Sequence, residues 1–481
     1  MLPLSFAPFH LYFLTPLLLA VLYFLCDRQT GKEAAWRGFW FGFGAFAAGT
    51  YWLYISIHIF GGAPIAVAVF LMLGLVLPMS TYVAATGYLF VAVESAPLML
   101  RCCLLWPACW TLMEWLRGWL FSGFPWLSLG YGQIDGPLSA WAPLLGVYGV
   151  TFISAVLAGI LFVMFRGMTA DRLIAALIAV VVIGSTAAIR DRAWTQAIDH
   201  DLRVSLIQGA IPQDRKWLPD QRQPTLDLYR DLTFSLPDPD LVIWPEAAVP
   251  ALAYQVQDFL DEMDNAARNH GMQLLIGVLT YDFDRDQYRN SILALGPQNS
   301  VYHKRHLVPF GEYFPVPGFI RDWIRMMNLP YQDTAAGVQS QPLLRVGEIP
   351  LALTICYEDA FGAEQLGYLP DAQLLVNVSN DAWFGDSIAP HQHLQMARMR
   401  ALEAGRFMLR ATNTGVTAII SPRGEIIQRS PQFRAHVLSD IVQPYKGSTP
   451  YVRVGNFPVV VSCLLLVGLG WYRGSWTRPK R

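Results

Sequence analysis

Residues 351–358 read Leu-Ala-Leu-Thr-Ile-Cys-Tyr-Glu. An uninterrupted apolar run of this length, with β-branched Thr354 and Ile355 at its end, predicts a strand buried on both faces. It stops at a thiol and a carboxylate. The same grammar recurs on either side. Strands are predicted at 203–208, 241–244, 274–280, 291–295, 351–356, 374–378 and 411–420. Between them, helical periodicity is read at 221–235, 256–269 and 391–410. Buried strands alternating with helices imply a layered α/β domain, here from about 191 to 455.

Outside that interval the chain changes character. Of 481 residues, 54% are hydrophobic and 15% charged, whereas soluble proteins carry about 25% charged residues. Apolar runs long enough to cross a bilayer as helices are counted at seven places, roughly 8–26, 38–60, 65–93, 102–122, 141–165, 172–190 and 456–473. The organisation expected is therefore a transmembrane bundle of about six spans over 1–190, a catalytic domain over 191–455, and a C-terminal span with a basic tail over 456–481. The run at 102–122 carries Glu114 and Arg117, spaced three apart as for a pair on one helical face, an interfacial anchor or a functional couple.

Charge orients the spans. Arg28, Lys32 and Arg37 lie between the first and second, Arg101 between the third and fourth, and Arg166 and Arg172 around the junction of the fifth and sixth. The tail adds Arg473, Arg478, Lys480 and Arg481, while the alternate connections near 61–64 and 125–139 carry no Lys or Arg. The positive-inside rule puts the basic side in the cytoplasm and the polar domain across the membrane, in a bacterium the periplasm. No Lys or Arg precedes Arg28, so the first run reads as a retained span and not a cleaved signal. A formal net charge of −1 gives no reason to expect a nucleic-acid partner.

Five of the six cysteines, Cys26, Cys102, Cys103, Cys109 and Cys463, lie in or beside apolar runs and read as small buried hydrophobes. Cys356 stands alone in the polar interval. Two other reactive groups follow or close strand-like runs: Glu246, after Leu-Val-Ile-Trp-Pro, and Lys304, in Val-Tyr-His-Lys-Arg-His. Active sites of open α/β sheets gather at the carboxyl ends of strands. A carboxylate, an ammonium and a thiol brought together there form a working set: the carboxylate takes the thiol proton and the ammonium steadies the anion. Taken singly, each equally fits a capped strand end, a surface charge or a core thiol. His303 with His306, and His391 with His393, lack a third ligand at a metal-site spacing, so neither a metal nor any other cofactor is expected. Arg398, Arg400, Arg406 and Arg410 are placed together on the helix read at 391–410.

Longer motifs give these residues a context. Ser-Phe-Ala-Pro-Phe stands at 5–9, Gly-Phe-Pro-Trp-Leu at 123–127 and Gln-Ile-Asp-Gly-Pro-Leu at 133–138. Trp-Pro-Glu stands at 244–246, His-Leu-Val-Pro-Phe-Gly-Glu at 306–312 and Ile-Cys-Tyr-Glu at 355–358. Asn-Asp-Ala-Trp-Phe-Gly follows at 380–385 and Gln-Met-Ala-Arg-Met-Arg-Ala-Leu-Glu at 395–403. In order and setting they resemble the nitrilase superfamily, and within it the membrane-bound bacterial apolipoprotein N-acyltransferases.

That resemblance implies an αββα sandwich for the polar domain, with Glu246 as general base, Lys304 as oxyanion stabiliser and Cys356 as nucleophile. It also implies supporting or substrate-binding places for Glu312, Glu358, Tyr357 and Trp217, with Trp383 and Phe384 expected at the mouth of the site. The reaction implied is acyl transfer from a phospholipid, typically phosphatidylethanolamine, through a thioester to the N-terminal diacylglyceryl-cysteine of an apolipoprotein. The setting implied is the bacterial inner membrane, crossed several times, and a monomer is expected because one chain holds every part. Relatives usually carry eight spans, one of them before the Ala-Pro-Phe stretch, against the seven counted. The hydrophobic stretch from Tyr313 to Tyr331, rich in Phe, Trp, Ile and Met with three prolines, reads as a lipid-facing arm. Two alternatives share parts of this pattern: a membrane-tethered nitrilase-type amidase, and a transporter or receptor with an external binding domain.

Overall fold

The computed structural model describes residues 1–92, 96–313 and 334–477. The arm read at 313–331, beyond Tyr313 itself, and the tail from 478 onward lie outside these residues. The chain forms two compact units. One comprises Met1–Trp194, Phe384–Ala404 and Ser448–Arg481; the other comprises Thr195–Trp383 and Gly405–Gly447.

The first unit is helical. Ile65–Ala92, Pro137–Arg166 and Thr169–Arg190 are each long and apolar enough to cross a membrane. Gly31–Gly49 and Trp52–Phe60 make a fourth span if taken together, bent by 50° at their junction. Leu14–Cys26 and Phe457–Tyr472 are apolar but shorter. The run read at 102–122 resolves into a π turn, Arg101–Leu105, followed by the helix Trp106–Arg117. Its two charges are buried. Glu114 accepts from Trp110 Nε1 at 2.9 Å, the Leu129 amide at 3.0 Å and Thr151 Oγ1 at 2.8 Å. Arg117 donates to the Trp126 carbonyl at 2.6 Å and to Ser128 Oγ at 3.0 Å. Both charges thus pin the loop that follows their helix.

At one end of the bundle the buried carboxylate of Asp27 gathers Arg101 at 3.2 Å, Arg166 at 3.8 Å and Arg28 at 3.9 Å. Three of the basic connections read from the sequence therefore meet at a single acid. Thr169–Arg190 turns Leu173, Leu177, Val180, Val181 and Ile183 outward, an apolar surface that water would not tolerate and lipid does.

The second unit holds two six-stranded sheets. In chain order its strands are β1 Thr195–Ala197, β2 Leu202–Gln208, β3 Leu241–Ile243, β4 Gln273–Asp282, β5 Gln287–Leu295, β6 Ser300–His303, β7 Leu344–Val346, β8 Ile349–Ile355, β9 Leu374–Ser379, β10 Met408–Thr412, β11 Ala418–Ile420, β12 Ile426–Arg429, β13 His436–Val442 and β14 Tyr445–Gly447. One sheet runs β13-β2-β3-β4-β5-β6 and the other β12-β11-β10-β9-β8-β7, while β1 pairs with β14. Each sheet is built on three parallel strands, β2-β3-β4 and β8-β9-β10, flanked by antiparallel ones. The helices Pro219–Phe234 and Gln257–Asn269 cover the first sheet through Leu226, Tyr229, Leu260 and Met263, which pack on Val242, Trp244 and Leu274.

Two sequence readings are corrected here. The helix read at 391–410 ends at Ala404, because Gly405 adopts φ +63, the left-handed conformation that terminates helices. Arg406 and Arg410 therefore lie off it, and Arg410 is on β10. The single strand read at 411–420 is two strands, β10 and β11, paired antiparallel.

Candidate active site

The carboxyl ends of the parallel strands deliver most of the site. Glu246 follows β3, Cys356 follows β8 and Asn380 follows β9, while Lys304 follows the antiparallel β6. Cys356 has φ +52 and opens a short helical turn. A non-glycine residue seldom adopts this conformation, and here residue 356 is half-buried while Tyr357 to Ala360 are buried. Ala247, just after Glu246, is likewise at φ +46. Gly277 on β4 lets the Glu246 turn lie flat, because a Cβ there would stand 2.1 Å from the Pro245 carbonyl oxygen and 2.8 Å from Glu246 Cα.

The polar groups converge. Lys304, 1% exposed, donates to Glu312 Oε1 at 2.9 Å and to Glu246 Oε1 at 3.4 Å. Asn290 Nδ2 bridges the same two carboxylates, at 2.7 Å from Glu246 and 3.3 Å from Glu312. Glu246 Oε2 accepts the Asn380 amide at 2.7 Å, and Glu312 Oε2 accepts the Val308 amide at 2.8 Å. Burial opposes the charge on Lys304, but Glu312 and Glu246 outweigh it and hold the ammonium well above the ordinary lysine range. The Cys356 thiol is pushed up, first by burial and then by the charge of Glu246, with Lys304 opposing. Cys356 therefore rests as a thiol near the Glu246 carboxylate, a pairing that general-base catalysis can use.

Glu358 bonds to the backbone around Cys356 and Lys304 and to Tyr302. Fully buried, it accepts the Ile355, Arg305 and His306 amides at 2.6, 2.7 and 3.1 Å and Tyr302 Oη at 2.9 Å. It thereby ties the chain just before Cys356 to the chain just after Lys304. Tyr357 is buried against Phe361, ring centroids 4.9 Å apart, and His306, at 5.7 Å. Trp217 and Trp383 are exposed. Phe384 belongs to the helical unit, edge-on to Trp52 at 4.7 Å.

Several partners escaped the sequence reading. Asn290 sits just before the strand predicted at 291–295, at the end of the polar run 284–290 that hides it. Lys216 is buried beside the quoted Trp217, its Nζ 3.4 Å from the Glu246 carbonyl oxygen. Arg410, fully buried, pairs with Asp359 at 2.8 Å and Asp381 at 3.1 Å and donates to Asn377 Oδ1 at 2.5 Å. Asn377 in turn donates to the Cys356 carbonyl at 3.3 Å. Its only sequence signal was an arginine in a strand-like run, concealed by the helix assignment.

Comparison with known proteins agrees along the whole chain. Residues 1–160 match the apolipoprotein N-acyltransferase N-terminal domain and residues 203–451 the carbon-nitrogen hydrolase domain. A relative from Methylococcus capsulatus named apolipoprotein N-acyltransferase is 43% identical over 475 residues, covering 98% of this chain and 94% of its own. The chain belongs to the apolipoprotein N-acyltransferase family. A Pseudomonas putida relative of the same name is 41% identical, covering 97% of this chain and 93% of its own. One from Pseudomonas aeruginosa is 41% identical, covering 99% and 94%. The chain is thus an acyltransferase, with a nitrilase-superfamily fold in its second unit and a helical unit carrying long apolar helices.

Proposed function

We propose that this chain acylates the N-terminal diacylglyceryl-cysteine of apolipoproteins, taking the acyl group from a phospholipid through a thioester on Cys356. The observation that carries the reading is the buried Glu246–Asn290–Lys304–Glu312 cluster at the Cys356 strand end, within a chain of this family.

In the first half-reaction Glu246 takes the thiol proton as sulfur attacks the sn-1 ester carbonyl of phosphatidylethanolamine. A Lys304 ammonium has three N–H donors. Two are held by Glu246 and Glu312, which leaves the third for the tetrahedral oxyanion. One such donor is worth about 3–4 kcal/mol. The C–O bond breaks, Glu246 returns the proton to the departing lysophospholipid oxygen, and the acyl group stays on sulfur. In the second half the neutral α-amino group of the lipopeptide attacks the thioester and gives its proton to Glu246. The C–S bond breaks, the thiol is regenerated and the amide leaves.

The helical unit follows from the substrate. Burial of acyl chain is worth about 0.8 kcal/mol per CH₂, so drawing a ~16-carbon chain into water would cost more than ~10 kcal/mol. A site fed from the bilayer avoids this. The clustering of Arg28, Arg101 and Arg166 on Asp27 supports assigning that end of the bundle to the cytoplasm and the catalytic unit to the periplasmic side of the inner membrane. The chain acts there as a monomer.

The test is intact-mass spectrometry of the purified full chain incubated with phospholipid alone. One acyl mass on the wild type, removed by hydroxylamine and absent from Cys356→Ala, is expected. Adding a diacylated lipopeptide should discharge the enzyme and add one acyl chain to the peptide. An acyl-enzyme that persists in Cys356→Ala refutes the nucleophile. Discharge to free fatty acid with the peptide unmodified points to the amidase.

A further inference from the structure

Lys216 belongs to the turn at 210–218, between β2 and the helix Pro219–Phe234, and this turn is fastened to the site by a chain of side-chain amides. Asn413 accepts the Ile211 amide at 2.9 Å and donates to the Ile211 carbonyl at 2.8 Å and to Asn380 Oδ1 at 3.1 Å. Asn380 donates from its side chain to Gln213 Oε1 at 3.0 Å and from its backbone to Glu246 Oε2 at 2.7 Å. On this turn Asp214, Arg215 and Trp217 are exposed while Lys216 is 1% exposed. Its Nζ hydrogen-bonds the Glu246 carbonyl at 3.4 Å.

The charge count gives that burial a purpose. Glu246 and Glu312 bring two negative charges into the cluster, and Lys304 is shared between both. Lys216 is the second cation. Farther along, on the Cys356 side, Asp359 and Asp381 share one cation, Arg410. With Lys216 charged, the group of Glu246, Glu312, Lys304 and Cys356 remains balanced when the thiol proton passes to Glu246. Among the described residues, the cluster without it carries one excess negative charge before and after the transfer.

We propose that Lys216 is a positioning residue of the acyl-transfer site: it holds the Glu246 turn by its carbonyl and supplies the charge that keeps the buried cluster neutral while the thiol is deprotonated. This rests on the assignment of Cys356 and Glu246 made above. Burial lowers the pKa of Lys216 to about 8, with Glu246 opposing the fall. The residue is therefore charged below that pH and neutral above it. Burying an ammonium opposes folding, so a lysine kept only for stability has no reason to be here.

The experiment uses the full chain in detergent with phospholipid and no acceptor, so that the acceptor amine contributes no titration of its own. The rate of acyl-enzyme formation is followed by intact mass across the acidic, neutral and alkaline range. Wild type should show an alkaline limb near pH 8. Lys216→Met should be at least about tenfold slower, lack that limb, and show an acidic limb raised by about one pH unit. Rates are compared below its melting temperature, on folded protein. Lys216→Arg, which keeps its charge, should recover part of the rate and move the alkaline limb upward. A wild-type profile without the limb overturns the proposal. So does a Lys216→Met profile scaled equally at every pH. Failure of wild type to form any acyl-enzyme would instead overturn the thioester reading beneath it.

Discussion

Replacing Lys304 with Met removes the one cation shared by Glu246 and Glu312 and leaves their carboxylates bridged only by Asn290. Two effects follow, and they separate. Loss of the oxyanion donor should slow acyl-enzyme formation by about 10²–10³-fold. Leaving buried Glu246 and half-buried Glu312 without their cation should cost about 3 kcal/mol of stability at neutral pH. Because Glu312 and Glu246 raise the Lys304 pKa above the ordinary 10.5, the stabilisation it gives is fully present below that pH and fades only above it. In Lys304→Met the deficit should shrink as pH falls and the carboxylates protonate. Adding Glu312→Gln to Lys304→Met removes one of the stranded charges, and should return about 2 kcal/mol of stability without restoring the rate. Denaturant melts and intact-mass kinetics on the purified full chain read the two quantities independently. Acyl-enzyme formation within about tenfold of wild type, or a double variant no more stable than the single one, would refute the electrostatic account.

Gly277→Ala forces a methyl group against the Pro245 carbonyl and Glu246 Cα. The Glu246 turn must shift, so the acylation rate should fall about 100-fold, with unchanged lipid partitioning in a vesicle-binding assay. Arg410→Met strands Asp359 and Asp381 in the interior. It should cost about 3–5 kcal/mol in a denaturant melt, with Arg410→Lys intermediate because an ammonium cannot reproduce the planar fork of donors.

The parts of this protein that were legible in its sequence are those where local pattern and tertiary role coincide. The buried parallel strands announce themselves as apolar runs because both of their faces are covered, and the reactive residues stand at their ends. Glu246 and Cys356 stand out as candidates for that reason, whereas Lys304 follows the exposed antiparallel edge strand β6 and takes its place from the motif resemblance. Pairing partners behave otherwise. Asn290 matters because β4 and β5 pair in a register that places it opposite Leu279, and no spacing in the sequence encodes which strands will pair. Arg410 was misplaced because Ala-Leu-Glu-Ala before Gly405 is strongly helical, and the turn at φ +63 ends the helix sooner than composition suggests. Glu358 was read as a supporting residue, and its bonds to the Ile355, Arg305 and His306 amides join the chain before Cys356 to the chain after Lys304.

Adjacent parallel strands β9 and β10 are joined by the excursion 384–404, which packs with the helical unit although the strands on either side belong to the catalytic one. Its helix, Ala389–Ala404, is buried along almost its whole length. Excision of residues 195–447 as a water-soluble enzyme would therefore strip the buried helix between β9 and β10, with its His, Gln, Arg and Glu side chains, of the unit it packs with. Inhibitor screens and enzymology on this protein are bound to the intact chain in detergent or lipid, since trimming the ends cannot free the catalytic half from its anchor.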